Sequence, residues 1–238
     1  MYISFKMMGV CFLKSLFKNW TIFEICLIII SPIVVLTLGI FFKSDALTIS
    51  ASLVGIFCAI FLSKGLVLGQ FFGIGVSVLY SIASYKNGFY GEMIIYFFIM
   101  FPMYLWGIIE WTKHKNINTE TVEVNTIKRK EWAWVSVCAI IVFVAFYFLL
   151  KALNTNELLV STFSVVDNIF AVYLLARRSK YGFVSYIVND FILIVLWGIP
   201  ILQGNLMLIA MLMNPVINLI NDLYGVVNWT KLQKKQSE

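Results

Sequence analysis

The fold class this sequence predicts is an all-α integral membrane protein with eight transmembrane helices. Three observations predict it: an apolar composition, a series of helix-length apolar segments, and a one-sided distribution of basic residues. Of the 238 residues, 61% are hydrophobic and 13% charged. Soluble domains are about 45–50% apolar and about 25% charged. The mean hydropathy of +0.91 places the chain in a bilayer. Its net charge of +6 does not point to nucleic acid, because the charges lie in the connections, as the positive-inside rule requires.

The N-terminal residues 1–20 interleave Lys6, Lys14 and Lys18 with Phe5, Phe12 and Leu16, the pattern of a short amphipathic helix on the membrane surface. Residues 21–42 are too long for a signal-peptide core and carry no small-residue cleavage site, so they read as a retained helix. Apolar segments come next at 45–63, 65–85 and 88–111. A polar connection at 112–131 separates them from 132–151, 157–176, 181–202 and 204–228. Asn214-Pro215 marks a place for a local helix break that would free carbonyls toward a cavity.

Charge tests this count. With eight spans and both termini cytoplasmic, only Lys43, Lys86 and Lys151 of the 18 basic residues face outward. Removing any interior span would invert every later segment and destroy the bias.

The two halves repeat. Trp106 to Lys113 (WGIIEWTK) matches Tyr224 to Lys231 (YGVVNWTK) at an offset of 118. Ser63-Lys64 matches Ser179-Lys180, and Gly88 matches Gly204, both at an offset of 116. Membrane ends favour Trp and Lys in any case, so chance matching is the alternative. A repeat gives one single membrane domain over 1–238: an extra helix at 21–42, then a parallel 3+1+3 arrangement. The first triplet covers 45–111, the linker helix 132–151, and the second triplet 157–228. Parallel repeats are a transporter architecture with the substrate near the bilayer midplane between halves.

Candidate site residues lie inside the spans. Tyr186, Asp190 and Trp197 share one helical face, with Asp190 near mid-membrane. An acid at that depth faces a polar cavity or marks function. Asp167 and Asp222 are the other acids inside spans of the second half. The alternative for each is a bond to Ser, Asn or Tyr on a neighbouring helix. Asn214, Asn218 and Asn221 make one polar stripe, which serves a ligand or helix packing equally well. At the 118 offset, Tyr96 and Tyr104 correspond to Asn214 and Asp222. Cys11, Cys26, Cys58 and Cys138 lack metal-ligand spacing and read as free thiols. The single histidine, His114, sits between Lys113 and Lys115 and reads as a solvated loop residue. The sequence contains no GxSxG, Walker A or HExxH pattern. An enzyme is therefore not expected, nor a cofactor.

From Trp20 to Lys234 the chain resembles the PnuC-type nicotinamide riboside (nicotinamide mononucleotide) transporters. The resemblance rests on Phe72-Gly73, Val78-Leu79-Tyr80, Tyr90-Gly91-Glu92-Met93, Pro102-Met103, Gly107, Val122-Glu123-Val124, Arg177-Arg178 and Asn228-Trp229. It implies the same 3+1+3 fold, related to that of SWEET sugar transporters. It also implies a homo-oligomer, a trimer in most of the family, and facilitated diffusion of a pyridine nucleoside trapped by a cytosolic kinase. A family Trp, and an Asn or Asp four residues on, contact the substrate. Counting back from Trp197 those positions are Tyr186 and Asp190, so Tyr replaces the Trp. The family's polar Gln or Asn positions fall on Tyr96 and Tyr104. The expected ligand set is Tyr186, Asp190, Trp197, Tyr96, Tyr104, Asn214, Asn218 and Asp167. A non-transporting membrane subunit or sensor with the same fold is the alternative function.

Overall fold

The computed structural model describes residues 20–86, 93–116, 119–154, 158–204 and 209–237, all built on helices. The expected surface helix at 1–20 lies almost wholly outside them. The described helices are α1 (Ile22–Phe41), α2 (Ala46–Lys64), α3 (Leu68–Lys86), α4 (Phe101–Lys113), α5 (Arg129–Ala152), α6 (Leu158–Ala176), α7 (Tyr181–Leu202) and α8 (Ile209–Ser237). A π-helical segment, Ile95–Met100, leads straight into α4. Among the described residues six helical stretches have the length and hydropathy to cross a membrane: α1, α2, α3, Ile95–Lys113, α5 and α6. The apolar part of α7 is Tyr181–Val195. The helix α8 has 29 residues and runs well past residue 228.

Packing follows chain order within two groups. In the first, α3 packs on α2 and α4; in the second, α7 packs on α6 and α8. The groups meet where α8 packs on α2 and α4 packs on α6. Two buried tryptophans make that crossing. Trp111 of α4 donates its indole N–H to the Leu175 carbonyl at the end of α6, at 2.7 Å. Trp229 of α8 donates to the Leu62 carbonyl at the end of α2, at 3.1 Å. Their rings lie 5.4 Å apart at the centre of the core. Each of these carbonyls also accepts a backbone N–H from its own helix-ending turn, so the indole takes up its second lone pair.

The ends of α2 and α6 are built alike. Gly65 N–H bonds to Leu62 O and Leu66 N–H to Phe61 O; Arg178 N–H bonds to Leu175 O and Ser179 N–H to Leu174 O. Both are Schellman ends with a left-handed residue, Gly65 at φ 81 and Arg178 at φ 60. After each turn a glycine, Gly69 or Gly182, sits where a Cβ would meet Leu62 or Leu175 at under 3 Å. These pairs are separated by 113 residues, which corrects the 116 read from Ser63-Lys64 and Ser179-Lys180. Ser63 lies inside α2, whereas Ser179 lies beyond the end of α6. The shared Ser-Lys pair is thus not structurally equivalent. The Gly88 half of that reading lies outside the described residues.

Two further expectations change. The helix α8 runs unbroken through Pro215. A proline removes one donor, and neighbouring bonds in a packed membrane helix carry the loss. The irregular backbone lies in the other half, in the π-helical segment before Pro102. A proline ring clashes with the carbonyl four residues back, here Phe98, and the wider π turn relieves that crowding. The polar connection at 112–131 is also not a free loop. Val122 is fully buried and Ile127 nearly so. Val122 N–H bonds to Gly65 O and Asn125 N–H to Arg178 O, so the stretch of chain between them straps both helix ends. Arg178 reaches back to the Glu123 carbonyl at 3.0 Å and to Glu110 at 3.4 Å. Those bonds hold a non-glycine residue in a conformation costing about 1–2 kcal/mol.

The extra helix α1 packs on α2 and α8. Thr21 and Glu24 form a capping box at its start. The buried Glu24 carboxylate also accepts two 2.8 Å bonds from Lys64 of α2 and a 2.6 Å bond from the Tyr224 hydroxyl of α8. Cys26, Cys58 and Cys138 are free thiols, and Cys11 lies outside the described residues.

Candidate functional site

The site is assembled from α2, the π-helical segment, α4, α7 and α8. About six residues into α7, Tyr186 turns toward the core, and Asp190 comes one turn later on the same face. The buried Tyr104 of α4 hydrogen-bonds through its hydroxyl with Tyr186 and with Cys58 of α2. Its ring lies against bare backbone at Gly73 of α3, where an added Cβ would come within 2.2 Å of it. Tyr96, on the π-helical segment, faces Tyr186 and stacks on Tyr80 at 5.1 Å.

Two carboxyls close the cluster. Asp190 of α7 and Asp222 of α8, 4% and 5% exposed, lie against each other. Asp222 Oδ1 accepts from Asn221 at 3.3 Å, and Asn221 in turn accepts from Ser63 of α2 at 3.0 Å. This chain fixes Asp222 to the first group of helices. Asp190 Oδ2 is buried with no hydrogen-bond partner. The groups acting electrostatically on Asp190 are Asp222 and Asp167, both acidic. The arrangement offers three tyrosine rings and an under-satisfied carboxyl pair, a setting for a flat cation with polar substituents.

The expected ligand residues divide. Tyr186, Asp190, Tyr104 and Tyr96 come together. Asn214 of α8 donates to the Ser52 hydroxyl of α2 at 3.4 Å, and Asn218 is half-buried one turn further along α8. Asp167 stands apart from the tyrosines. It accepts from Ser185 and lines an outer groove of about 280 Å³ with Trp132, Phe170, Val184 and Val188. The side chain of Trp197 lies outside those described. Asp222 and Cys58 belong to the cluster and lie outside the expected set. The 118 offset that pairs Tyr104 with Asp222 is the signal for Asp222; nothing in the sequence singles out Cys58.

A family model described as "Nicotinamide mononucleotide transporter" matches residues 45–231, from α2 through most of α8. The chain belongs to this transporter family. The matched range leaves α1 outside. Among curated relatives of the family, the nicotinamide riboside transporter PnuC of Neisseria mucosa is 27% identical over 228 residues, covering 94% of this chain and 87% of that protein. The nicotinamide riboside transporter PnuC of Haemophilus influenzae is 24% identical, covering 76% and 77%. A solved structure, the crystal structure of the vitamin B3 transporter PnuC, superposes with a TM-score of 0.79 at 26% identity. It covers 94% of this chain and 97% of that one.

Proposed function

We propose that this protein carries nicotinamide riboside, or a closely related pyridine nucleoside, across the cell membrane. The observation that carries the reading is the convergence of Tyr104, Tyr186, Asp190 and Asp222 from three helices onto one buried cluster. Tyrosine faces suit the pyridinium ring, and the carboxyl pair suits its positive charge. Asn214 and Asn218 supply amides for the ribose and carboxamide. Between riboside and mononucleotide, the cluster favours the riboside. A phosphate would bring negative charge beside Asp190 and Asp222, and the groups acting on Asp190 include no cation.

The architecture proposed for this activity is the parallel 3+1+3 repeat preceded by α1, with eight spans in all and both termini cytoplasmic. The exchanged tryptophan bonds, the twin Schellman ends and the packing of α8 on α2 and of α4 on α6 support it. Flux is driven by solute gradients, with cytosolic phosphorylation removing the product, and the working unit is a homo-oligomer, a trimer as the resemblance implies. The test is counterflow in proteoliposomes. Labelled nicotinamide riboside exchanges against unlabelled riboside, while nicotinamide mononucleotide competes at least tenfold less well. Liposomes with protein that exchange no faster than empty ones refute the proposal.

A further inference from the structure

The extra helix α1 has a counterpart in the second half. It precedes the first triplet as α5 precedes the second. Each of the two helices carries a glutamate as its third residue, Glu24 in α1 and Glu131 in α5. Each glutamate holds the basic residue at the end of the next helix. Glu24 accepts from Lys64 at 2.8 Å on both oxygens, and Glu131 accepts from Arg177 at 2.7 and 3.0 Å. Lys64 and Arg177 are 113 residues apart, the spacing of the matched helix ends at Leu62 and Leu175. A tyrosine hydroxyl completes each set, from Tyr224 at 2.6 Å and from Tyr173 at 3.1 Å.

The two sets differ in where the tyrosine comes from. Tyr173 stands on α6 four residues before Arg177, so the Glu131 set braces α5 to α6 alone. Tyr224 stands on α8, so the Glu24 set joins α2 of the first group to α8 of the second. These are the helices that bring Cys58 and Asp222 to the tyrosine cluster. We infer that Glu24 is a latch. Through it α1 holds α2 and α8 together at the end of the bundle that the proposed topology places in the cytoplasm, and loss of its bond to Tyr224 accompanies opening of the site on that side. The inference rests on the proposed repeat and transport activity. It gives α1, which lies outside the matched family range, a part in the transport cycle.

In repeat transporters one half rocks against the other around the site. A contact between halves then breaks in each cycle, and a contact within a half persists. The side chains of Glu24 and Lys64 are 2% and 12% exposed, so parting them would strand a buried charge, which is costly. The Tyr224 hydroxyl is neutral, and water replaces its bond at modest cost. Withdrawal of α8 therefore breaks the hydroxyl bond and leaves the ion pair between α1 and α2 intact. The neighbouring contacts are reversible in the same way. Asn228 and Trp229 of α8 donate to the Ser63 and Leu62 carbonyls at 2.9 and 3.1 Å. Ser63 Oγ lies 2.9 Å from the Ile60 carbonyl of its own helix and 3.0 Å from Asn221 Oδ1. Its one proton serves either acceptor, so Ser63 keeps a partner when α8 leaves.

The experiment reads Cys58, which is 4% exposed and lies on α2 at the cluster. Cys11, Cys26 and Cys138 are replaced by serine, inside-out vesicles are treated with a membrane-impermeant methanethiosulfonate, and the rate of Cys58 modification is followed. Tyr224→Phe keeps its ring against Phe23, 5.1 Å between centroids, and loses only the hydroxyl. It is expected to raise the rate at least about fivefold, the shift in open population that one lost hydrogen bond brings. Tyr173→Phe, which cuts the matching bond on α6, is expected to leave the rate unchanged. Should Tyr224→Phe fold poorly, Glu24→Gln weakens the same bridge and carries the same expectation. An unchanged rate in the folded Tyr224 or Glu24 variant, or an equal rise with Tyr173→Phe, overturns the inference. Exchange of labelled nicotinamide riboside by the wild type is measured alongside. Its absence, with the Cys58 rates as expected, refutes the riboside reading and leaves the latch standing.

Discussion

Gly73 tests whether the ring of Tyr104 is held in place by bare backbone. An alanine Cβ at Gly73 would sit 2.2 Å from two ring carbons of Tyr104, against 3.4–4 Å for ordinary contact. The ring must therefore retreat by about 1.2 Å or more, and its hydroxyl bonds with Tyr186 and Cys58 go with it. Overpacking of a filled interior costs about 1–3 kcal/mol. Alanine recovers about 0.5–1 kcal/mol of helix propensity, so a net loss of about 0.5–2 kcal/mol is expected. Gly55 is the control, since an added Cβ there meets nothing within 4 Å. Gly55→Ala should be neutral or slightly stabilising. Two assays read the effect: thermal unfolding followed by tryptophan fluorescence, and calorimetric binding of nicotinamide riboside. Gly73→Ala should lower Tm and weaken binding about tenfold, equivalent to about 1.4 kcal/mol. Tyr104→Leu in the same chain should recover stability but not binding. If Gly73→Ala matches Gly55→Ala in both assays, Tyr104 is free to move and does not shape the site.

Other contacts set further outcomes. Tyr186→Ala should weaken riboside binding by roughly 30-fold, from loss of up to ~2 kcal/mol of cation–π attraction, while Tyr186→Trp should preserve or improve it. Wild-type affinity in the alanine variant would remove Tyr186 from the site. Glu24→Gln leaves Lys64 against Trp20 but without its carboxylate, whose side chain is only 2% exposed. Lys64 keeps some contact with solvent, so a loss of about 2–3 kcal/mol is expected, less than for a fully buried pair. An unchanged unfolding midpoint would show that α1 docks without the ion pair. Single cysteines at positions 86 and 128, in a cysteine-free background, test orientation with a membrane-impermeant thiol reagent. Position 86 should label in intact cells, and labelling at 128 would invert the proposed topology.

Much of the fold was legible in order along the chain. Apolar segments of about 20 residues specify spanning helices because a bilayer leaves a backbone no partner but itself. Hence six helical stretches of spanning length and hydropathy appear close to where the composition placed them. The 118 offset was legible too, since Trp111 and Trp229 perform the same bond in opposite halves. Glu24 could have been found: Thr21-Ile22-Phe23-Glu24 is a capping-box pattern ahead of an apolar run.

The sequence by itself determined the membrane class, the helix ends set by turn residues, and the face that Tyr186 and Asp190 share. These are local properties, fixed by hydrophobicity and by a period of 3.6 residues. The tertiary structure decided the rest. It set the 113-residue spacing of the first helix ends, because hydrogen bonds define equivalence there and residue identity does not. It separated Asp167 from the tyrosines and brought Asp222 against Asp190, two acids 32 positions apart in the chain. Which groups meet across a bundle depends on how whole helices rotate and approach. That is fixed by packing at sites such as Gly69, Gly73 and Gly182, where a missing Cβ lets the next helix come close.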